Sequence, residues 1–328
     1  MEHHLRSNRF RLLAVIVVIL AGIGVVAFVA TRPRGTGHVV GVFLYAQHEV
    51  IQEIFDGFKS RLDAKAAELG ESVQYVVRNA DGDAAQTKAI ASFFRSADVD
   101  VVFVVGLPAA QALKGVGTEH PVFFGGPPDP VAAGLVPRLD RHGSNFSGTK
   151  YFPSQDATVA VLRSVRPDAR TVAVLHNPGE KNSQPLVKAF KAATELAGLT
   201  VRLYPVTTSP ELNASLRDIA TARPDGVFLP TDNFIYSSLD RILQECKEAQ
   251  IDVFSCTRAA VEKGAIFAVG ADYRRVGGIT AEMAARVLFD HVPIRDIDVQ
   301  VVNEGIVYAR KGVRMTVPAG YQVVTVDD

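Results

Sequence analysis

The feature that most constrains this chain is a strand–helix alternation that runs once, lapses, and runs again. "HVVGVFLY" (38–45) has the unbroken apolar character of a strand buried on both faces. The next stretch places Ile51, Ile54, Phe55, Phe58 and Leu62 on one helical face and closes at Gly70. Further strands are expected at 73–78, 100–106 and 121–126, with short helices at about 84–96 and 108–114 between them. From 127 to 150 the pattern gives way to "PPDPVAAGLVPRLDRHGSNFSGTK", whose prolines, glycines and turn formers mark a lobe boundary or a site loop. It restarts with strands at 171–177, 200–206, 226–230, 251–255 and 265–272 and helices at 182–197, 210–222 and 234–249. An amphipathic helix at 275–292 and an extended tail follow. Alternation of this kind specifies an α/β fold with parallel, doubly wound sheets.

The expected organisation is therefore two α/β lobes. The first spans 37–150, completed by about 273–297, and the second spans 151–272, completed by about 298–328. With 328 residues, 48% of them hydrophobic and 21% charged, the chain is long enough for two such cores.

Residues 1–36 have a different character. "MEHHLRSNRFR" carries Arg6, Arg9 and Arg11 and precedes 19 uncharged residues, 12–30. A basic tip before an apolar run is an export signal. The run exceeds the ~7–15 residues of a signal-peptide core and approaches the ~20 of a membrane-spanning helix. Its length favours an uncleaved apolar anchor helix, with a cut after Ala27 or Ala30 as the alternative; no cysteine is close enough for a lipid anchor.

Several chemistries are excluded or weakened. The 35 basic and 35 acidic residues cancel, and no Lys/Arg stripe is present to neutralise a phosphate backbone, so nucleic acid is not an expected partner. Phosphate-loop, dinucleotide, nucleophile-elbow and HExxH motifs are all missing, which argues against an enzyme and against a cofactor. His3 and His4 sit in the tip, while His120 and His142 read as surface or capping residues. Cys246 and Cys256 fall on a helix and on the far end of the next strand, too far apart to pair, and are read as packing residues.

What recurs is a polar or flexible group at the carboxyl end of each strand: Gln47 and His48, Gly106, Asp129, Asn177, Asp232 and Asn233, then Asp272 with Tyr273. Each alone is ordinarily a cap or turn residue. Together they would line one cleft, because ligands of open α/β sheets collect at those strand ends. Carboxylates and amides beside aromatic residues suit a small zwitterion with an apolar part. A metal would need its donors clustered, and these are spread over two lobes, so no metal site is expected.

Five ordered segments, "FFGGPPDPVAAGLV", "NFSGTKYF", "VAVLHNPGEKNSQ", "LPTDNFIYSSL" and "VGADYRRVGGITAEMAARVL", resemble the exported substrate-binding proteins of ABC importers. The resemblance is to the branch associated with tryptophan and other aromatic amino acids, and it extends from about residue 38 to residue 302. It implies the type I periplasmic-binding-protein fold, in which two Rossmann-like lobes are joined by three crossover strands and clamp a ligand between them. It also implies that Asp129, Thr149, Asn177, Glu180, Ser183, Asp232, Asn233 and Asp272 face the cleft.

There are departures. "QHEVIQ" keeps His48 but has Gln47 and Gln52 where the family tends to have acids, "GGPPDP" replaces a Thr-Asp-Pro, and Phe234 and Tyr236 are bulkier than usual. These changes remove negative charge from the first lobe's side of the cleft. The function implied is capture of an amino-acid-like solute by hinge closure and delivery to ABC permease subunits, with a membrane-anchored sensor domain as the alternative. Asp232 is the expected counter-ion to the ligand's ammonium, and Asn233 its hydrogen-bond partner or the helix cap.

Overall fold

The computed structural model describes residues 37–141, 143–303 and 305–327. The apolar run 12–30, the spacer that follows it, His3, His4 and His142 lie outside the described residues. Residues 38–328 form one compact unit. Among the described residues no helix is long and apolar enough to cross a membrane.

The first lobe is built from β1 (Gly37–Leu44), α1 (Glu49–Leu69), β2 (Ser72–Asn79), α2 (Ala84–Ser96), β3 (Val101–Val105), α3 (Leu107–Val116), β4 (Val122–Gly125) and β5 (Phe146–Lys150). The second takes α4 (Gln155–Val165), β6 (Thr171–His176), α5 (Gln184–Leu196), β7 (Thr200–Pro205), α6 (Ser209–Ala222) and β8 (Gly226–Leu229). It continues with α7 (Asn233–Ser237), α8 (Leu239–Glu248), β9 (Val253–Ser255), α9 (Arg258–Glu262) and β10 (Phe267–Gly270). The chain then crosses back: α10 (Tyr273–Leu288) packs on α1, and β11 (Gln300–Val301) joins β5. A third crossing leads to β12 (Ile306–Arg310) and β13 (Gln322–Val326) in the second lobe.

Sheet order is β11-β5-β4-β3-β1-β2 in the first lobe and β13-β12-β10-β9-β8-β6-β7 in the second. β1 lies parallel to β3 with Val42 opposite Phe103, and β6 parallel to β8 with Ala173 opposite Val227. β12 runs antiparallel to β10. Every residue of β3, β4 and β8 is buried, as continuous apolar strands covered by helices on both faces should be.

The α1–α10 contact that returns the chain to the first lobe depends on two glycines. A Cβ on Gly57 would sit 1.9 Å from the Arg274 carbonyl oxygen, and one on Gly277 1.9 Å from that of Ile54. Only bare backbone allows the helices so close.

Four features differ from the sequence reading. The stretch 127–150 ends in a strand, β5, whose pairing with β4 is set by tertiary context rather than by its mixed sequence "FSGTK". Helices α4, capped by the Ser154 side chain on Ala157 N–H, and α9 occupy stretches whose sequence suggests no element. The helix expected over 234–249 is two, because Ser238 leaves helical geometry at φ −112°, ψ 10°. The chain also stays in the first lobe beyond residue 298, as far as Val301, because β11 pairs with β5. Cys246 and Cys256 are unpaired and buried, and burial pushes both thiols up to about 12.

Candidate functional site

The carboxyl ends of β3 and β4 in the first lobe and of β8 in the second converge on a cavity of about 80 Å³. That is below the ~300–1,000 Å³ usual for small-molecule sites.

The first lobe contributes an apolar wall: Ile51 and Ile54 from α1, Leu107 from the start of α3, and Pro127 and Pro128 after β4. Gly106 closes β3 at φ 100°, with its Cα against Tyr45; a Cβ there would lie 2.4 Å from the Tyr45 Cβ. Gly106 offers no side chain to cap α3, so the first-turn N–H groups have none to bind. The crossovers supply Tyr151 and Tyr273, packed edge to face at 5.9 Å between ring centres.

The second lobe contributes a polar wall of Asn182, Thr231, Asp232 and Asn233, together with Tyr236. Asp232 is the N-cap of α7 and is 1% exposed. Its carboxylate accepts from Phe234 N–H at 3.1 Å, Ile235 N–H at 3.2 Å and Asn177 N–H at 2.8 Å, with the Ser183 hydroxyl adding to these. The cap belongs to Asp232, which corrects the expectation that Asn233 might serve as one. Two of these backbone donors, Ile235 and Asn177 N–H, serve Asp232 alone, and Phe234 N–H is shared with Glu180.

Behind this wall stands Glu180, 8% exposed. It accepts from Asn233 N–H at 3.0 Å, from Asn233 Nδ2 at 2.6 Å and from Phe234 N–H at 3.1 Å. Burial first, and the neighbouring Asp232 carboxylate second, raise its pKa to about 7; burial likewise raises that of Asp232. Among the described residues neither carboxylate forms an ion pair, and no Lys or Arg lines the cavity.

Two contacts cross between the lobes, the first of them at the cavity. His48, ahead of α1, has Nε2 3.2 Å from Asn233 Oδ1 and its ring 5.7 Å from that of Tyr236. Lys263, after α9, bridges Glu49 at 2.5 Å and Asp240 at 2.7 Å. The Tyr236 hydroxyl is held by Ser255 at 2.6 Å and Thr257 at 2.8 Å, so the ring is fixed and its hydroxyl already engaged.

Of the residues singled out in the sequence, His48, Gly106, Asp232 and Asn233 line the cavity. Glu180, Asn177 and Ser183 are brought to the polar wall from behind, through their bonds to Asn233, Asp232 and Glu180. Four lie elsewhere. Gln47 is exposed, and Asp129 accepts from Val131 and Ala132 N–H in its own turn. Thr149 is fully buried in the first lobe against Thr280 at 2.9 Å, and Asp272 is an exposed cap on Arg275 N–H. Asn182 was passed over although it stands between Glu180 and Ser183 in "PGEKNSQ", and Tyr151 although it directly follows "NFSGTK". An exposed-looking Asn in a Gly/Lys loop and a Tyr at a strand end carry no local signal of a cleft.

Residues 39–311 match the family described as ABC transporter substrate binding protein. This chain belongs to that family. Its members are non-enzymatic in general and work outside the cytoplasm, at importers. Among related proteins, a tyrosine-binding protein of Clostridioides difficile (strain R20291) is 29% identical over 265 residues, covering 81% of this chain and 76% of the relative. The crystal structure of an ABC domain in complex with L-Trp from Streptococcus pneumonia aligns with a TM-score of 0.78 at 26% identity, over 87% of this chain and 100% of that one. A ligand-free, open substrate binding protein from Clostridium difficile covers 88% of this chain and 99% of its own at 28% identity, yet its TM-score is 0.63. At nearly equal identity and coverage, this member of the family is nearer in shape to the ligand complex than to the open form, in keeping with the two contacts that join its lobes.

Proposed function

We propose that this substrate-binding protein captures an amino acid with an aromatic side chain, outside the cytoplasm, and presents it closed to an ABC permease. The observation that carries the reading is the division of the cavity. An apolar and aromatic wall on one lobe faces a polar, net-negative wall on the other, which suits a ligand with an apolar body and a cationic end. The tyrosine-binding relative and the L-Trp complex support the ligand class. Ligand contacts to both lobes stabilise the closed state relative to the open one.

The test is a thermal-shift series on residues 37–328 with tyrosine, tryptophan and phenylalanine against leucine, glutamate, ribose and a nucleoside. A ligand at 100 times its dissociation constant adds about 2.7 kcal/mol, a shift of a few degrees for a chain of this size. Stabilisation by ribose or nucleoside alone would overturn the proposal.

We further propose that residues 12–30 hold the protein to the outer face of the cytoplasmic membrane as an uncleaved anchor, on the strength of their length and basic flank. Fractionation with amino-terminal sequencing checks this. A soluble product beginning near residue 28 or 31 would show cleavage instead.

A further inference from the structure

We infer that the ligand's ammonium is received by two neutral acceptors from opposite lobes, Asn182 Oδ1 and His48 Nδ1, in the field of the Asp232 carboxylate. This rests on the amino-acid reading above. Among the described residues five buried side-chain polar atoms have no hydrogen-bond partner, and these two are the ones that belong to cavity-lining residues. Buried acceptors are ordinarily satisfied, so a pair left open at one cavity points to a donor that arrives with the ligand.

The orientation of both groups follows from their neighbours. Asn182 Nδ2 donates to the Thr231 carbonyl at 2.9 Å, which turns Oδ1 to the other side of the planar amide. For His48 the reasoning starts at Glu180. Its carboxylate accepts from Asn233 Nδ2, so Asn233 Oδ1 is the free end of that amide and can only accept. His48 Nε2 must therefore be the protonated nitrogen that donates to it. Burial lowers the His48 pKa and keeps the ring neutral, leaving Nδ1 with a bare lone pair. Carboxylate, amide and imidazole thus form a chain that fixes one tautomer and sets an acceptor on the first lobe.

The charge points the same way. Asp232 lines the cavity with three backbone N–H groups on its carboxylate, one of them shared with Glu180, so it adds negative potential at the site. A primary ammonium carries three donors and a positive charge, and so meets both conditions. Because one acceptor comes from each lobe, the same head group that is recognised also ties the lobes together.

The experiment is calorimetry on the wild type, Asn182→Leu and His48→Phe with three probes: L-tyrosine, tyramine and 3-(4-hydroxyphenyl)propionate, which lacks the amine. Wild type is expected to prefer L-tyrosine to the amine-free acid by at least 100-fold. Each variant is expected to shrink that preference at least tenfold. Nitrogen-15 shifts of the His48 ring in the L-tyrosine complex, where the lobes are closed, should show Nε2 protonated and Nδ1 without a proton, a readout independent of any substitution. Tyrosine binding with no preference over the amine-free acid, unchanged preference in both variants, or a protonated Nδ1 overturns this assignment alone. If wild type binds none of the three but binds tryptophan, the same comparison is made with tryptophan, tryptamine and 3-indolepropionate; failure to bind any aromatic amino acid overturns the proposed ligand class and this assignment with it.

Discussion

The two lobes are built from the same alternation of strand and helix, yet they present opposite surfaces to the cavity. The first offers Ile51, Ile54, Leu107 and two prolines, with Gly106 bare of any side chain. The second offers Asn182, Asp232 and Asn233, wired to Glu180 behind them. The difference teaches that a shared fold positions strand ends without deciding their chemistry. In the first lobe the cavity-facing strand-end residues are apolar apart from His48, which takes its partner, Asn233, from the other lobe. In the second, buried carboxylates are tolerable only because backbone N–H groups from α7 and from the turn after β6 surround them.

The largest expected effect comes from breaking the apolar wall. Leu107→Asp places a carboxylate at the first position of α3, where the helix dipole favours an acid, but against the apolar body of the ligand. An unpaired charge there should weaken binding of an aromatic amino acid by 100-fold or more, on the order of 3 kcal/mol. Calorimetry on variant shown by circular dichroism to be folded checks it, and a loss under tenfold would remove the first lobe's assigned share.

A smaller effect sharpens the polar side. Glu180 has a folded pKa of about 7 against an ordinary 4.5. The protonated acid is thus favoured by folding, and its contribution to stability is complete below pH 4.5 and disappears as pH rises through about 7. Glu53, also raised to about 7 by burial, shares that window, so the readout is a difference between proteins. Denaturant unfolding of wild type should lose on the order of 2–3 kcal/mol more between pH 4.5 and 7.5 than Glu180→Gln does. Parallel pH curves for the two would show that Glu180 titrates normally.

The smallest effect concerns the bridge between the walls. The Lys263–Glu49 pair is part-exposed on both sides, at 29% and 39%, and such pairs contribute about 0–1 kcal/mol. Lys263→Ala should weaken ligand binding two- to fivefold at low salt, with the gap closing at 0.5 M salt and the ligand-free melting temperature unchanged. Equal affinities at low salt would mean that the bridge adds nothing to closure.

Much of the fold was legible because its signals are local. Unbroken apolar runs mark β1 and β3, one-sided periodicity marks α1, and Gly70 in the left-handed region stops that helix where expected. Strand β5 was not, since "FSGTK" has no pattern of its own and is a strand only by pairing between β4 and β11. The site was legible as a set of strand ends and illegible as a set of roles. Asp232 reads from the sequence as a ligand's counter-ion because it is an acid at a strand end, and it does line the cavity. Its actual partners include Asn177, 55 residues away, which no window on "PTDNF" contains.

By itself the sequence determined that there are two α/β lobes and that their strand ends carry polar groups. Periodicity and end-capping act over a few residues, so they survive in a linear reading. Only the tertiary structure decided which of those groups face the cavity and which are spent holding it in shape. Hydrogen-bond saturation is a property of neighbours in space: His48 meets Asn233 across 185 residues of chain, and Glu180 meets it across 53. Whether a buried acceptor is filled or open, and so whether it can take a ligand, is settled by such contacts.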